Sequence, residues 1–220
     1  MARKAFLDMV PPETTYYINS DCLADRPEFA SVIGRCMATW SQIEVELSLT
    51  LAAILDTRTD AGVAVYLSIK SASGQRDALR NAALATLSGD KLRAFNAVLH
   101  FHQSIVQERN HLAHGIFGVM PDRPDSLIWV SSAKHAAWLT RANQHAWNLS
   151  FDPDPHGPLR KELFIYTLQD LLALKAQFVE LFNTITQLQL LLAPIPNLDK
   201  APILRQLLER PSLIPHLASS

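Results

Sequence analysis

The stretch LHFHQSIVQERNHLAHGIFG, residues 99–118, combines an apolar helical repeat with a cluster of polar side chains directly before a glycine. Its apolar residues recur at helical steps, which predicts a helix with one buried face. A glycine just after the last helical residue, as Gly115 is here, usually forms a left-handed C-terminal cap. We therefore predict a helix that begins near residue 91 and ends at His114.

Three polar side chains near the end of this helix suit the binding or cutting of a phosphodiester without a metal. Arg109 carries a permanent, fork-shaped cation that matches phosphate. Asn110 both donates and accepts hydrogen bonds, and histidine, here His114, transfers protons near neutral pH. Asn110 and His114 are four residues apart and share a helix face. Arg109 and His114 diverge by roughly 140° on a regular helix, so they meet only through a fraying last turn or a partner chain.

The order R-N-x-x-x-H-G at residues 109–115 resembles the R-x(4–6)-H motif of the HEPN superfamily. The run WSQIE, residues 40–44, is similar to the first long helix of some HEPN-like bacterial proteins. The resemblance covers roughly residues 30–192, apart from a stretch around 119–158. It implies a helical bundle, frequent dimerisation and, in many members, a metal-independent ribonuclease. It also implies that Arg109 and His114 lie at a dimer cleft, with the polar Asn110 beside the arginine.

Composition is typical of packed helices. The 220 residues are 48% hydrophobic and include only 7 glycines, so few tight turns are expected. The formal net charge of −1 argues against nucleic-acid binding by bulk electrostatics, so any such contact needs a local patch. Cys22 and Cys36 form no C-x-x-C pair, and a cytoplasmic protein with free thiols is the simplest interpretation. We see no signal peptide and no transmembrane span.

Breaks in the pattern divide the chain into an N-terminal arm, residues 1–27, a helical bundle, residues 28–193, and a C-terminal tail, residues 194–220. The arm is expected to pack on the bundle, and the tail is expected to contain one short helix. Pro27 suits the first position of the first long helix. The predicted helices cover about residues 27–55, 61–71, 75–87, 91–114, 159–192 and 203–209.

Residues 119–158 are rich in proline and predict a small β-hairpin inserted before the last long helix. Residues 127–130, LIWV, have the composition of a strand, and residues 145–149 are the candidate partner strand. The predicted fold class is therefore all-α, a HEPN-like bundle with this insertion, which we expect to line or cover the cleft. Three tryptophans in the insertion either pack in a core, their usual role, or stack on bases: Trp129, Trp138 and Trp147.

Further polar residues are candidates for supporting the motif or for binding nucleic acid. Glu44 flanks the buried stripe of the first long helix and is either a solvated carboxylate or a hydrogen-bonding partner of Arg109 or of a site histidine. Glu108 and His111 border the motif. Four basic residues form either a patch near the site or scattered solvated charges: Arg76, Arg80, Lys91 and Arg93.

Four histidines on the motif helix suggest a zinc site, but their spacing opposes it. His100 and His102 are two residues apart and point to opposite sides of a helix. His111 and His114 are three apart and could share a ligand, yet no carboxylate or cysteine stands at the spacing of a zinc motif. We therefore predict no metal and no other cofactor.

The sequence supports three functional hypotheses. In the first, the chain is a metal-independent endoribonuclease of a toxin–antitoxin or defence system, in which His114 transfers the proton and Arg109 stabilises the charged phosphorane. Asn110 then orients the phosphate or the histidine. In the second, it is a non-catalytic binding or regulatory module whose motif supports the fold or a dimer. In the third, the bundle holds a small-molecule or nucleotide pocket. The predicted partners are a second copy of the chain, RNA and a protein such as an antitoxin, without a membrane.

Overall fold

The computed structural model describes residues 3–11, 13–19, 21–147 and 157–217, which are mostly helical with five short strands. No helix in these ranges is long and apolar enough to cross a membrane. The helices are α1 (Phe6–Met9), α2 (Pro27–Ile54), α3 (Thr59–Ser68), α4 (Ala72–Thr86), α5 (Gly89–His114), α6 (Ser132–Trp147), α7 (Gly157–Arg160), α8 (Leu168–Leu192), α9 (Ala201–Leu208) and α10 (Ile214–Leu217). The strands are β1 (Lys4–Ala5), β2 (Tyr17–Ile18), β3 (Gly115–Val119), β4 (Ser126–Ser131) and β5 (Phe164–Thr167).

The long helices follow the apolar repeats of the sequence. The prediction of a helix from Pro27 to about Leu55 is confirmed by α2, and the predicted end of the motif helix at His114 is confirmed by α5. The short tail helix is confirmed by α9. The buried face of α2 repeats at three- and four-residue steps, as one stripe requires: Phe29, Ile33, Cys36, Trp40, Ile43, Leu47, Leu51 and Ile54.

The chain forms two compact units, and the boundaries between them fall inside α2, α5 and α8. Unit 1 contains Met1–Met37 and Glu108–Ala176. Unit 2 contains Ala38–Gln107 and Gln177–Ser220. The end of the motif helix therefore belongs to unit 1.

Unit 1 is built on a five-stranded antiparallel sheet with the strand order β1-β5-β4-β3-β2. The prediction of a strand at residues 127–130 is confirmed by β4, but the β part is more than the predicted hairpin. The N-terminal segment supplies both edge strands, β1 and β2. The sheet packs on a core of buried residues from α1 and α7, from the strands β4 and β5, and from the adjoining segments: Phe6, Val10, Met120, Ile128, Val130, Leu159, Leu163 and Ile165.

Two segments of unit 1 differ from the predicted elements. Residues 145–147 belong to α6 and do not form a strand, and residues 148–149 lie outside the described residues. Residues 164–167 form β5 and interrupt the predicted helix over 159–192, so α8 begins only at Leu168. The sequence FIYT of β5 is β-branched and aromatic, and it pairs with both β1 and β4. Tertiary pairing therefore decides the conformation there.

Unit 2 is helical and packs around Trp40. The Trp40 ring stacks on His102, with ring centroids 5.1 Å apart, and lies 5.8 Å from Phe178. Burial, and then the charge of Arg76, lower the pKa of His102 to about 4. His102 is thus a neutral histidine at neutral pH, packed against an aromatic ring.

Arg210, in the segment after α9, forms several hydrogen bonds to α8. Arg210 donates from Nη1 to Glu180 Oε1 at 3.0 Å and to Thr184 Oγ1 at 2.7 Å, and from Nη2 to Gln187 Oε1 at 2.7 Å. The three acceptors lie on one face of α8, and the arginine side chain is only 15% exposed. Its position in the sequence gave no sign of this role.

Candidate functional site

The end of α5 is held on the sheet of unit 1 by Trp129. The indole Nε1 of Trp129 donates to the main-chain oxygen of His111 at 2.7 Å, and the two rings meet edge to face. Gly115 opens β3 opposite Ser131 of β4. A Cβ at Gly115 would overlap the Trp129 ring and lie 2.7 Å from the His111 oxygen. The motif glycine is therefore required because the indole passes directly over it.

The prediction of a left-handed cap at Gly115 is wrong. Among the described glycines, positive φ occurs at Gly89 (φ 57), at the start of α5. Gly115 is part of a strand, because pairing with β4 takes the backbone from the helix into an extended conformation without a turn.

Two of the three motif residues line a cavity of unit 1, and the third does not. Asn110 and His114 are exposed and line a cavity of about 370 Å³ on unit 1. Arg109 does not line this cavity; its side chain is half-buried, and its Nη1 donates to Asn110 Oδ1 at 3.1 Å. The structure thus brings the asparagine and the histidine together in one cavity, while the arginine is bonded to the asparagine without lining that cavity.

Arg3 supplies the guanidinium of this cavity. Its Cζ lies 4.1 Å from the ring centroid of Trp129 and 4.4 Å from that of Phe164, which are cation–π distances. Its Nη2 donates to His111 Nε2 at 3.1 Å. Its Nε and Nη1 are buried and have no hydrogen-bond partner among the described residues. The sequence carried no signal for this role, because Arg3 stands 108 positions before His111.

His111 connects Arg3 to Glu108. Because Nε2 accepts from Arg3, the neutral ring carries its proton on Nδ1, which lies 3.5 Å from Glu108 Oε2. Burial and the positive charge of Arg3 lower the pKa of His111, and Glu108 partly opposes them. The predicted border residues Glu108 and His111 therefore meet, and His111 acts as a neutral link in the cavity wall.

The remaining polar groups of the cavity lie on β4, α6 and the segment before β5. Lys134 and Glu162 form an ion pair of 3.0 Å. Ser131 and Ser132 add two hydroxyl groups. The residues that line the cavity thus include two permanent cations, Arg3 and Lys134, and one carboxylate, Glu162, and this excess of positive charge suits a small anion.

Five of the predicted supporting and binding residues belong to unit 2. Glu44 is exposed and accepts a hydrogen bond from Trp40 Nε1 at 2.7 Å. Arg93 pairs with Asp90 at 2.8 Å. The others are Arg76, which is half-buried, and Arg80 and Lys91, which are exposed. Their predicted roles toward the motif stay predictions.

The tryptophans of the predicted insertion have different environments. Trp129 is 4% exposed, and its ring packs between the end of α5 and the sheet. Trp138 is half-buried and lines a second cavity of unit 1. The side chain of Trp147 lies outside what the structure describes.

Within the described ranges, no group of three or more histidine, cysteine, aspartate and glutamate side chains is placed to hold a metal ion. No protein-family model, curated protein or solved structure matches the chain. The resemblance to HEPN proteins stays a prediction.

Proposed function

We propose that this chain is a metal-independent endoribonuclease in which His114 transfers the proton and a second copy of the chain contributes Arg109. The observation that carries the proposal is the cavity at the end of α5. There an exposed histidine and asparagine, one helical turn apart, face the same space as Lys134 and Arg3. This combination offers a proton-transfer group, a hydrogen-bonding group and positive charge within the reach of one phosphate.

The chemistry follows from these groups. The 2′-hydroxyl of the RNA attacks the adjacent phosphorus and loses its proton to His114. The bond from phosphorus to the 5′-oxygen then breaks, and that oxygen takes up the proton from His114, so the products are a 2′,3′-cyclic phosphate and a 5′-hydroxyl. Lys134 and a guanidinium stabilise the charge that develops on the phosphorane. Asn110 holds a phosphate oxygen or the imidazole.

In the proposed dimer, a second copy of the chain supplies Arg109 to this site. Its half-buried position and its bond to Asn110 keep it out of the cavity that its own His114 lines. A two-fold dimer places the same patch of both copies face to face. Two copies that meet at Asn110 would therefore bring each Arg109 toward the other copy's cavity.

The test is cleavage of a single-stranded RNA in the presence of EDTA. Wild type should cleave, while Arg109→Ala and His114→Ala should each lose at least about a hundredfold in rate, as expected for one proton-transfer group or one charge-stabilising group. Arg35→Ala, at an exposed position of α2, is the matched arginine control, and His100→Ala is the matched histidine control. Both controls should cleave like wild type.

Mixing the two inactive variants tests the shared site directly. In a mixed dimer, one of the two sites combines an intact Arg109 with an intact His114 from the other copy. A one-to-one mixture should regain about a quarter of the wild-type activity, because half of the dimers are mixed and each has one working site. A mixture that stays inactive while the single variants are folded contradicts the shared site.

A second candidate is a non-catalytic binding module in which the motif supports the fold. It is favoured by the contacts of the motif itself, since Arg109 is bonded to Asn110, and His111 is engaged by both Trp129 and Arg3. Under this alternative, wild type binds RNA or a protein without cleaving, and Arg109→Ala lowers the free energy of unfolding. The EDTA assay combined with a urea titration separates the two functions.

A further inference from the structure

A second cavity of unit 1, of about 460 Å³, lies between α6 and the segment that precedes β5. Lys134, Trp138 and Arg141 line it from one face of α6, because they stand at positions i, i+4 and i+7. Lys161 and Glu162 line the opposite wall. The lining therefore includes three cations and one carboxylate, in a chain whose formal net charge is −1.

The two cavities of unit 1 share a wall. Lys134 and Glu162, which pair at 3.0 Å, line both the second cavity and the cavity that contains His114. An extended polymeric ligand bound next to His114 can therefore continue past this ion pair into the second cavity. Lys134 and Arg141 are separated by about 10 Å along the axis of α6, which accommodates more than one phosphate of an extended strand.

We propose that this second cavity binds the phosphate backbone of a single-stranded RNA as the strand leaves the His114 cavity. Arg141 and Lys161 contact successive phosphates, and Trp138 provides the ring against which a base packs. The inference rests on the proposed function, because it takes RNA as the molecule that occupies the first cavity. Grooves that combine cations with an aromatic ring are the usual means of binding single strands without sequence preference.

Several features favour a single strand over other anions. Arg141 and Lys161 are exposed, so they are accessible to a phosphate backbone. Trp138 packs partly against the core of the sheet and also lines the cavity, so its ring is fixed in place. The cations line the walls of a cavity and are not spread over a convex face, so they suit an unpaired strand that can enter it.

The experiment measures binding separately from cleavage. A fluorescently labelled single-stranded RNA with 2′-O-methyl groups lacks the attacking hydroxyl, and its binding is followed by anisotropy at several salt concentrations. The variant Arg141→Gln/Lys161→Gln should bind about tenfold more weakly, and its salt dependence should become shallower by about 1.4 in log–log slope, for two lost phosphate contacts. The matched control, Lys70→Gln/Arg205→Gln, removes the same charge from two exposed positions of unit 2.

Each outcome decides the inference. A selective loss of affinity in Arg141→Gln/Lys161→Gln supports it, whereas an equal loss in the control pair, or no binding by wild type, overturns it. A duplex RNA that binds as well as the single strand also overturns it. Cleavage of the unmodified RNA by wild type separates this inference from the proposed function. If wild type binds through this cavity but never cleaves unmodified RNA, only the nuclease proposal fails; if it cleaves and the double variant binds normally, only this inference fails.

Discussion

Gly115→Ala should disturb the site more than any other exchange of comparable size. The new Cβ would overlap the Nε1 edge of Trp129 and lie 2.7 Å from the main-chain oxygen of His111. The neighbours on both sides are a ring and a main-chain atom, so neither moves aside as a flexible side chain does. Trp129 must shift, and its 2.7 Å hydrogen bond to the His111 oxygen breaks.

The magnitude follows from these two effects. Forcing one extra methyl group into a packed interior costs about 1–3 kcal/mol. Losing the hydrogen bond adds about 1 kcal/mol. We therefore expect Gly115→Ala to lower the free energy of unfolding by about 2–4 kcal/mol. The matched control is Gly34→Ala in α2, where a Cβ meets nothing within 4 Å. That change should stabilise the chain by about 0.5–1 kcal/mol, because alanine favours a helix over glycine.

Urea titration monitored by tryptophan fluorescence measures both variants. A double-mutant cycle with Trp129→Leu locates the effect, because the cost of Gly115→Ala should fall by at least about 1 kcal/mol once the indole is absent. The reasoning is refuted if Gly115→Ala is as stable as wild type, or if its cost is the same with and without the indole. In either case the indole does not lie over the motif glycine.

Three further predictions concern single side chains. Arg3→Gln should raise the pKa of His111 toward its usual range, because a neighbouring positive charge is removed while burial continues to lower the pKa; an NMR titration of the histidines that shows no change would contradict the contact. The free energy of unfolding should fall by up to about 3 kcal/mol as the pH drops from about 6.5 toward 4, because of His102. In the unfolded chain this histidine binds a proton near pH 6.5, whereas in the folded chain it does so only near pH 4. In His102→Phe this part of the pH dependence should vanish in urea titrations over the same range. Arg210→Ala should lower the free energy of unfolding by about 2–3 kcal/mol, because it removes three hydrogen bonds from a charged and mostly buried group. The exposed Arg205→Ala should stay within about 0.5 kcal/mol of wild type, and equal values for the two arginines would argue against the clamp.

The helices could be predicted from the sequence because their signals are local. Pro27 and the stripe that follows it determine where α2 begins and which face it buries, and the repeat before Gly115 determines the end of α5. The sheet could not be predicted in the same way. Strands of two residues, such as β1, have no period to detect, and Lys4 pairs with Ile165 at the far end of unit 1's sequence. Pairing at such separation depends on the folded chain.

The same distinction holds for the candidate site. By itself, the sequence determined that Asn110 and His114 share one face at the end of a helix, since their spacing and the helical repeat are enough for that. Only the tertiary structure decided which cations join them. Arg3 enters the cavity because β1 pairs with β5, which places the residue just before β1 against Trp129 and Phe164, and Lys134 enters because α6 follows β4 directly. Arg109 does not line the cavity, although it directly precedes Asn110, because consecutive side chains on an α-helix point in different directions.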